Sequence, residues 1–204
     1  MENEQLTSEQ SLRIIEAMIN NAKNQFGQNG HLYLLWGWLV LICSLAQFVL
    51  AHFVQVSWNW VVWLSVWIAM IYQYFYIRHV HRERRVRTYT DSILGTVWLA
   101  FAIVIVLLAA VIGNIFMAQG IEFFSIANVF FLLLYGIPTF VSGFVLKFRP
   151  LWIGAIGCWV LAVIAPFVHD DFRLLTLAPA MLVGWIIPGY MLRARYKRTV
   201  SHGL

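Results

Sequence analysis

Residues 78–87 read RHVHRERRVR and hold five of the chain's fourteen lysines and arginines beside a single acid, Glu83. Outward from this block the charge disappears on both sides: residues 24–77 contain no Asp, Glu, Lys or Arg, and neither do residues 92–121. Runs of that length exceed the about 20 apolar residues that a helix needs to cross a bilayer. A short basic segment between two such runs stays cytoplasmic, because Lys and Arg next to a span resist translocation. The block therefore reads as a cytoplasmic loop, and it sets the orientation of everything else.

Composition agrees. Of 204 residues 61% are hydrophobic and 11% charged, whereas a soluble domain is nearer half apolar and about a quarter charged. The expected fold class is an all-α integral membrane protein with almost no room for a domain outside the bilayer. The net charge of +5 sits in short flanks of apolar runs. Orientation and contact with anionic lipid account for it, and nucleic acid is not an expected partner. Cys43 and Cys158 lie inside apolar runs and read as small buried hydrophobes rather than a disulfide framework.

On the length criterion the chain carries six spans, at 32–51, 58–77, 93–116, 123–146, 151–168 and 174–192, forming three hairpins. Of the fourteen Lys and Arg, only Arg173 then falls in an outer connection, which predicts both termini inside. Residues 1–30 form a cytoplasmic segment, 31–192 the membrane domain and 193–204 a basic cytoplasmic tail. The segment lacks the basic start and short apolar core of a secretory signal, so the first span is expected to direct insertion. Asp91 and Ser92 are expected to cap the third span, Asp170 or Asp171 the sixth, and Pro150 to open the fifth. Trp36, Trp38, Trp58, Trp60 and Trp152 fall near span ends, as an interfacial belt would.

Before the first span, Thr7 and Gln10 have capping-box spacing, and Leu12, Ile15, Ile19, Ala22 and Phe26 make one apolar stripe. Gly27 ends this predicted amphipathic helix and Asn29-Gly30 turns the chain. Such a helix is marginal alone in water. It lies on the membrane or the bundle, or it docks a cytoplasmic partner or a second copy of the chain.

Inside the spans the residues that could carry chemistry are neutral: Ser44, Gln47, Asn59, Ser65, Gln73, Asn114, Asn128, Thr139 and Ser142. Proton relays and cation pathways usually need ionisable groups within the membrane. Neutral ones most often bond neighbouring helices. Pro138 in the fourth span and Pro179 and Pro188 in the sixth each remove a helix hydrogen bond. They predict either simple kinks or a pocket lined by freed backbone. In the second span Trp60, Trp63, Trp67 and Tyr74 recur on one helical face, to line a site or to pack on helices or lipid. The candidate ligand pocket is Trp63, Trp67, Tyr74, Tyr135, Pro138, Ser142, Trp185 and Pro188. The candidate partner or lipid surface is Leu12, Ile15, Ile19 and Phe26 with Arg82, Arg84, Arg85 and Arg87.

His52 and His169, at outer span ends, were they to meet, could ligate haem, and His79, His81 and Asp170-Asp171 offer incomplete metal sets. No cofactor or metal is expected from them. Nucleophile elbow, zinc-hydrolase helix and phosphate-binding loop are all missing from the sequence, so enzyme activity is not expected. The ends of the fourth and sixth spans, GFVLKFR at 143–149 and GYMLRAR at 189–195, are similar, as a repeated hairpin or any cytoplasmic exit would be.

The run His31-Leu-Tyr-Leu-Leu-Trp-Gly-Trp-Leu39, preceded by SLRIIEAMI at 11–19 and Asn21-Ala-Lys23, resembles a family of small bacterial multi-pass membrane proteins. These pair an amino-terminal amphipathic helix with a YLLWGW-type first span. The resemblance covers about the first fifty residues. It implies a bacterial inner-membrane location and transfers no active residues. Two functions fit this pattern. One is a non-catalytic module working through partners on its cytoplasmic face. The other is a small transporter or binding protein for a neutral or aromatic molecule, with its site near the prolines.

Overall fold

The computed structural model describes residues 30–56, 58–83, 89–119 and 121–201. The stripe Leu12, Ile15, Ile19 and Phe26 and the loop residues Arg84, Arg85 and Arg87 lie outside these residues; Arg82 is described and exposed. Among the described residues the chain is helical apart from short turns. Six helices are long and apolar enough to cross a membrane: Gly30–Val54, Asn59–Val80, Ser92–Ile115, Ala127–Val145, Arg149–Phe167 and Leu174–Arg198. They are called the first to sixth spans below.

Several boundaries move from their predicted places, each for a local reason. The first span runs past residue 51 through a π-turn, Leu50–Val54, and stops where Gln55 takes a left-handed φ of 55°. Residues 52–57 hold no Gly or Pro that would stop it sooner. The third span belongs to a helix already running at Tyr89, so Ser92 is inside the helix rather than at its cap, and its carbonyl accepts from the Thr96 hydroxyl at 3.0 Å. The sixth span is entered through a short helix, Asp170–Arg173, whose N-cap is His169, without a side-chain capping bond. Its last helix, Ile187–Ser201, carries the basic tail on as helix, since Arg, Ala and Lys are good helix formers. Pro150 does open the fifth span, where its missing amide costs nothing.

The turn between fourth and fifth spans has a defined mechanism. The Phe148 amide donates to the Gly143 carbonyl at 2.9 Å and the Lys147 amide to the Phe144 carbonyl at 3.1 Å. That pair of bonds is a Schellman motif, and it requires a left-handed residue at Lys147, whose φ is 49°. Phe148 tucks under the turn and Arg195, from the end of the sixth span, covers its ring at 5.7 Å.

The sixth span is the centre of the bundle. Half of its apolar window is buried, against 6% for the second and the third. It packs on the first span on one side and on the fifth on the other; the fifth packs on the fourth, and the fourth on the third. Lipid is as apolar as leucine, so close packing and hydrogen bonds, not hydrophobicity, join such helices. Glycines supply the approach. A Cβ on Gly37 would meet Ile186 at 2.8 Å, and one on Gly154 would meet the Val183 carbonyl at 2.5 Å and the Gly184 Cα at 2.8 Å.

Candidate functional site

An aromatic cluster surrounds Trp185, the largest fully buried side chain among the described residues. Tyr33 from the first span, Trp98 and Phe101 from the third, and Tyr135 from the fourth place ring centroids 5.8, 5.4, 6.3 and 5.7 Å from Trp185. Most pairs meet near edge-on, the arrangement that the ring quadrupoles favour. Trp185 sits in a second π-turn, Leu182–Ile186, that precedes Pro188. Pro188 offers no amide, and the wider turn lets the chain pass it while keeping Trp185 pointed into the bundle. Polar groups line one side. The Trp98 indole donates to the Ser142 hydroxyl at 3.2 Å, and the Tyr33 hydroxyl faces Ser142 and Trp98. The Trp185 indole nitrogen, by contrast, is buried with no hydrogen-bond partner among the described residues.

The fourth-span helix runs on through Pro138, and side chains bond the carbonyls on either side of the one that the proline leaves free. Gly136 leaves a notch filled by the Trp159 ring, whose indole donates to the Leu133 carbonyl at 3.1 Å, and the Thr139 hydroxyl donates to the Tyr135 carbonyl at 2.9 Å. Pro138 and Pro188 are both fully buried.

A polar seam ties the second span to the first along its whole length. Near the basic loop His31 bonds the Tyr72 hydroxyl at 3.0 Å and the Trp36 indole donates to Gln73. In the middle Cys43 and Ser65 lie 3.1 Å apart. At the far end Gln47 accepts from the Trp63 indole at 2.6 Å and donates to Asn59 at 3.2 Å. Beyond this seam the second span turns large apolar side chains outward.

Arg173, between the fifth and sixth spans, has a structural task. Its guanidinium donates to the carbonyls of Ala165 at 3.1 Å and Val168 at 3.2 Å, at the end of the fifth span, where Ala165 also accepts from the Val168 amide at 3.2 Å. Its own carbonyl accepts from Asn128 at 2.7 Å and from the Thr176 hydroxyl at 2.7 Å, so fourth, fifth and sixth spans are clasped together. His52 is stacked on Phe48 at 5.5 Å and lies 6.2 Å from Phe172.

The structure thus brings Tyr135, Ser142 and Trp185 into one cluster, whereas Trp63 packs against the wider apolar core and donates to Gln47. Trp67 and Tyr74 are turned outward, 59% and 60% exposed. Tyr33, Trp98 and Phe101 join the cluster without having been singled out by their sequence. A signal for Tyr33 exists: Gly30, Tyr33, Gly37, Val40, Ser44 and Gln47 recur every three or four residues, and all are buried. The chain matches no protein-family model, no curated protein and no solved structure.

Proposed function

We propose that the protein is a non-catalytic, multi-pass membrane module that acts through cytoplasmic or intramembrane partners, as a regulatory, sensory or scaffold subunit. One observation carries this reading. Polar side chains within the spans, among them Gln47, Ser65, Gln73, Asn128 and Ser142, are engaged in bonds between or along helices, while the two spans that bracket the basic loop are the least embedded. A core bonded through its polar groups, beside two spans that leave most of their surface uncovered, suits a part that presents a surface rather than one that moves a solute.

In this reading the membrane is a bacterial inner membrane and both termini are cytoplasmic. The working face combines the amino-terminal helix, the loop with Arg82, Arg84, Arg85 and Arg87, and the basic end of the sixth span. The stripe Leu12, Ile15, Ile19 and Phe26 docks a protein partner or a second copy, and the basic loops hold anionic lipid. Native mass spectra of the protein gently extracted from its own membrane test this. The full chain is expected to carry a stoichiometric protein or second copy that a folded 29–204 variant lacks. Retention of that partner by the variant overturns the proposal.

The alternative, a small transporter or binding protein for a neutral or aromatic molecule, is favoured by the convergence of Tyr135, Ser142 and Trp185 between spans that carry the buried Pro138 and Pro188.

A further inference from the structure

Trp185 is 2% exposed and its indole N–H is unpartnered among the described residues. In the bilayer no bulk water is at hand, so a buried donor left unmade bears its full desolvation cost. The sequence could have avoided this, because a phenylalanine would fill much of the same ring site with no polar atom. Instead the chain keeps the indole and holds it in a π-turn, a geometry rare in helices and frequent at functional sites. Hydroxyl-bearing neighbours surround it: Tyr33 and Tyr135 are ring neighbours of Trp185, and Ser142 is bonded to a third neighbour, Trp98.

We propose that the Trp185 cluster is a binding site for a small uncharged hydrogen-bond acceptor, whose oxygen takes the Trp185 indole N–H. The acceptor must be neutral, because residues 92–121 and 123–146 of the adjoining spans offer no Asp, Glu, Lys or Arg before Lys147 to balance a charge. It must be small where it enters, because the rings stand in mutual contact, 5.4–6.3 Å between centroids. Two sources share this chemistry: a water molecule, whose remaining bonds the hydroxyls of Tyr33, Tyr135 and Ser142 can make, and the carbonyl oxygen of a lipophilic compound lying against the rings.

Nuclear magnetic resonance of the full chain in lipid nanodiscs, labelled with indole-15N tryptophan, distinguishes them. The Trp185 signal is assigned by its loss in Trp185→Phe or, where that variant does not fold, by its contact with the Tyr135 ring. The expected result is a Trp185 N–H resonance shifted downfield like that of the hydrogen-bonded Trp98. Cross-relaxation from water protons identifies water as the source. Contacts to non-exchangeable protons of a co-purifying molecule, with an upfield move when it is stripped away, identify the carbonyl compound. An upfield, ring-shielded N–H overturns the proposal, since it places the donor on a neighbour's π-face. A downfield N–H with neither contact overturns it too, since its partner is then the protein. The measurement involves no residue of 1–28, so it stands or falls apart from the partner reading.

Discussion

Gly154→Ala is the sharpest test of the packing. The added methyl would lie 2.5 Å from the Val183 carbonyl and 2.8 Å from the Gly184 Cα, and both are backbone atoms of the sixth span. Carbon atoms rest about 3.5–4.0 Å apart, so the two helices must separate by about 1 Å or the methyl must overlap. Overpacking of this kind costs about 1–3 kcal/mol. Replacing a mid-helix glycine by alanine returns about 1 kcal/mol of helix propensity. Gly113→Ala isolates that second term, since nothing lies within 4 Å of its added methyl in the third span. The two variants, each unfolded in mixed micelles with rising denaturing detergent and followed by circular dichroism, are expected to differ by about 1–3 kcal/mol, with Gly154→Ala the weaker. At about 1.4 kcal/mol per factor of ten, the unfolding equilibria separate clearly. Equal stability of the two, or a more stable Gly154→Ala, would refute the close crossing of fifth and sixth spans.

Lys147 occupies a left-handed position that glycine accepts without strain. Lys147→Gly is therefore expected to stabilise the chain by about 1 kcal/mol in the same assay, and a loss would contradict the Schellman turn. Gln47→Leu removes bonds to Trp63 and Asn59. At about 0.6 kcal/mol for a typical interhelical bond, and up to about 1.7, it should cost about 1–2 kcal/mol and make the second span more open to protease, with an unchanged digest counting against the seam. A reporter fused after Leu204 is expected to be active only in its cytoplasm-dependent form, and activity confined to the outside would reverse the proposed orientation.

Part of the candidate site was legible from residue types alone. Pro138, Pro188, Tyr135 and Ser142 stand out because prolines and hydroxyls are conspicuous in apolar runs, Trp185 lies three residues before Pro188, and the structure buries all five. The partners of Trp185 on other helices were not legible in the same way. Trp98 and Phe101 sit in a span whose residues are apolar almost all round, so no polar face tells inward from outward. In the second span the aromatic repeat was visible, yet Trp63 turns toward Gln47 while Trp67 and Tyr74 face out. The span begins as a three-residue-per-turn helix, Asn59–Leu64, which shifts the phase of Trp63 relative to the α-helix that follows.

Length, hydropathy and the absence of charge were enough to determine six spans, because the cost of unsatisfied backbone in lipid leaves a long apolar run no other form than helix. Which spans sit at the centre was decided only in three dimensions. Lipid and protein interior are nearly equal solvents for Leu, Val and Trp, so hydropathy carries no information about partners. The choice fell to contacts between residues far apart in the chain: Gly37 on Ile186, Gly154 on Gly184, Trp98 on Ser142, Arg173 on Ala165. Those contacts depend on backbone approach and bond geometry, which arise only when the helices are laid side by side.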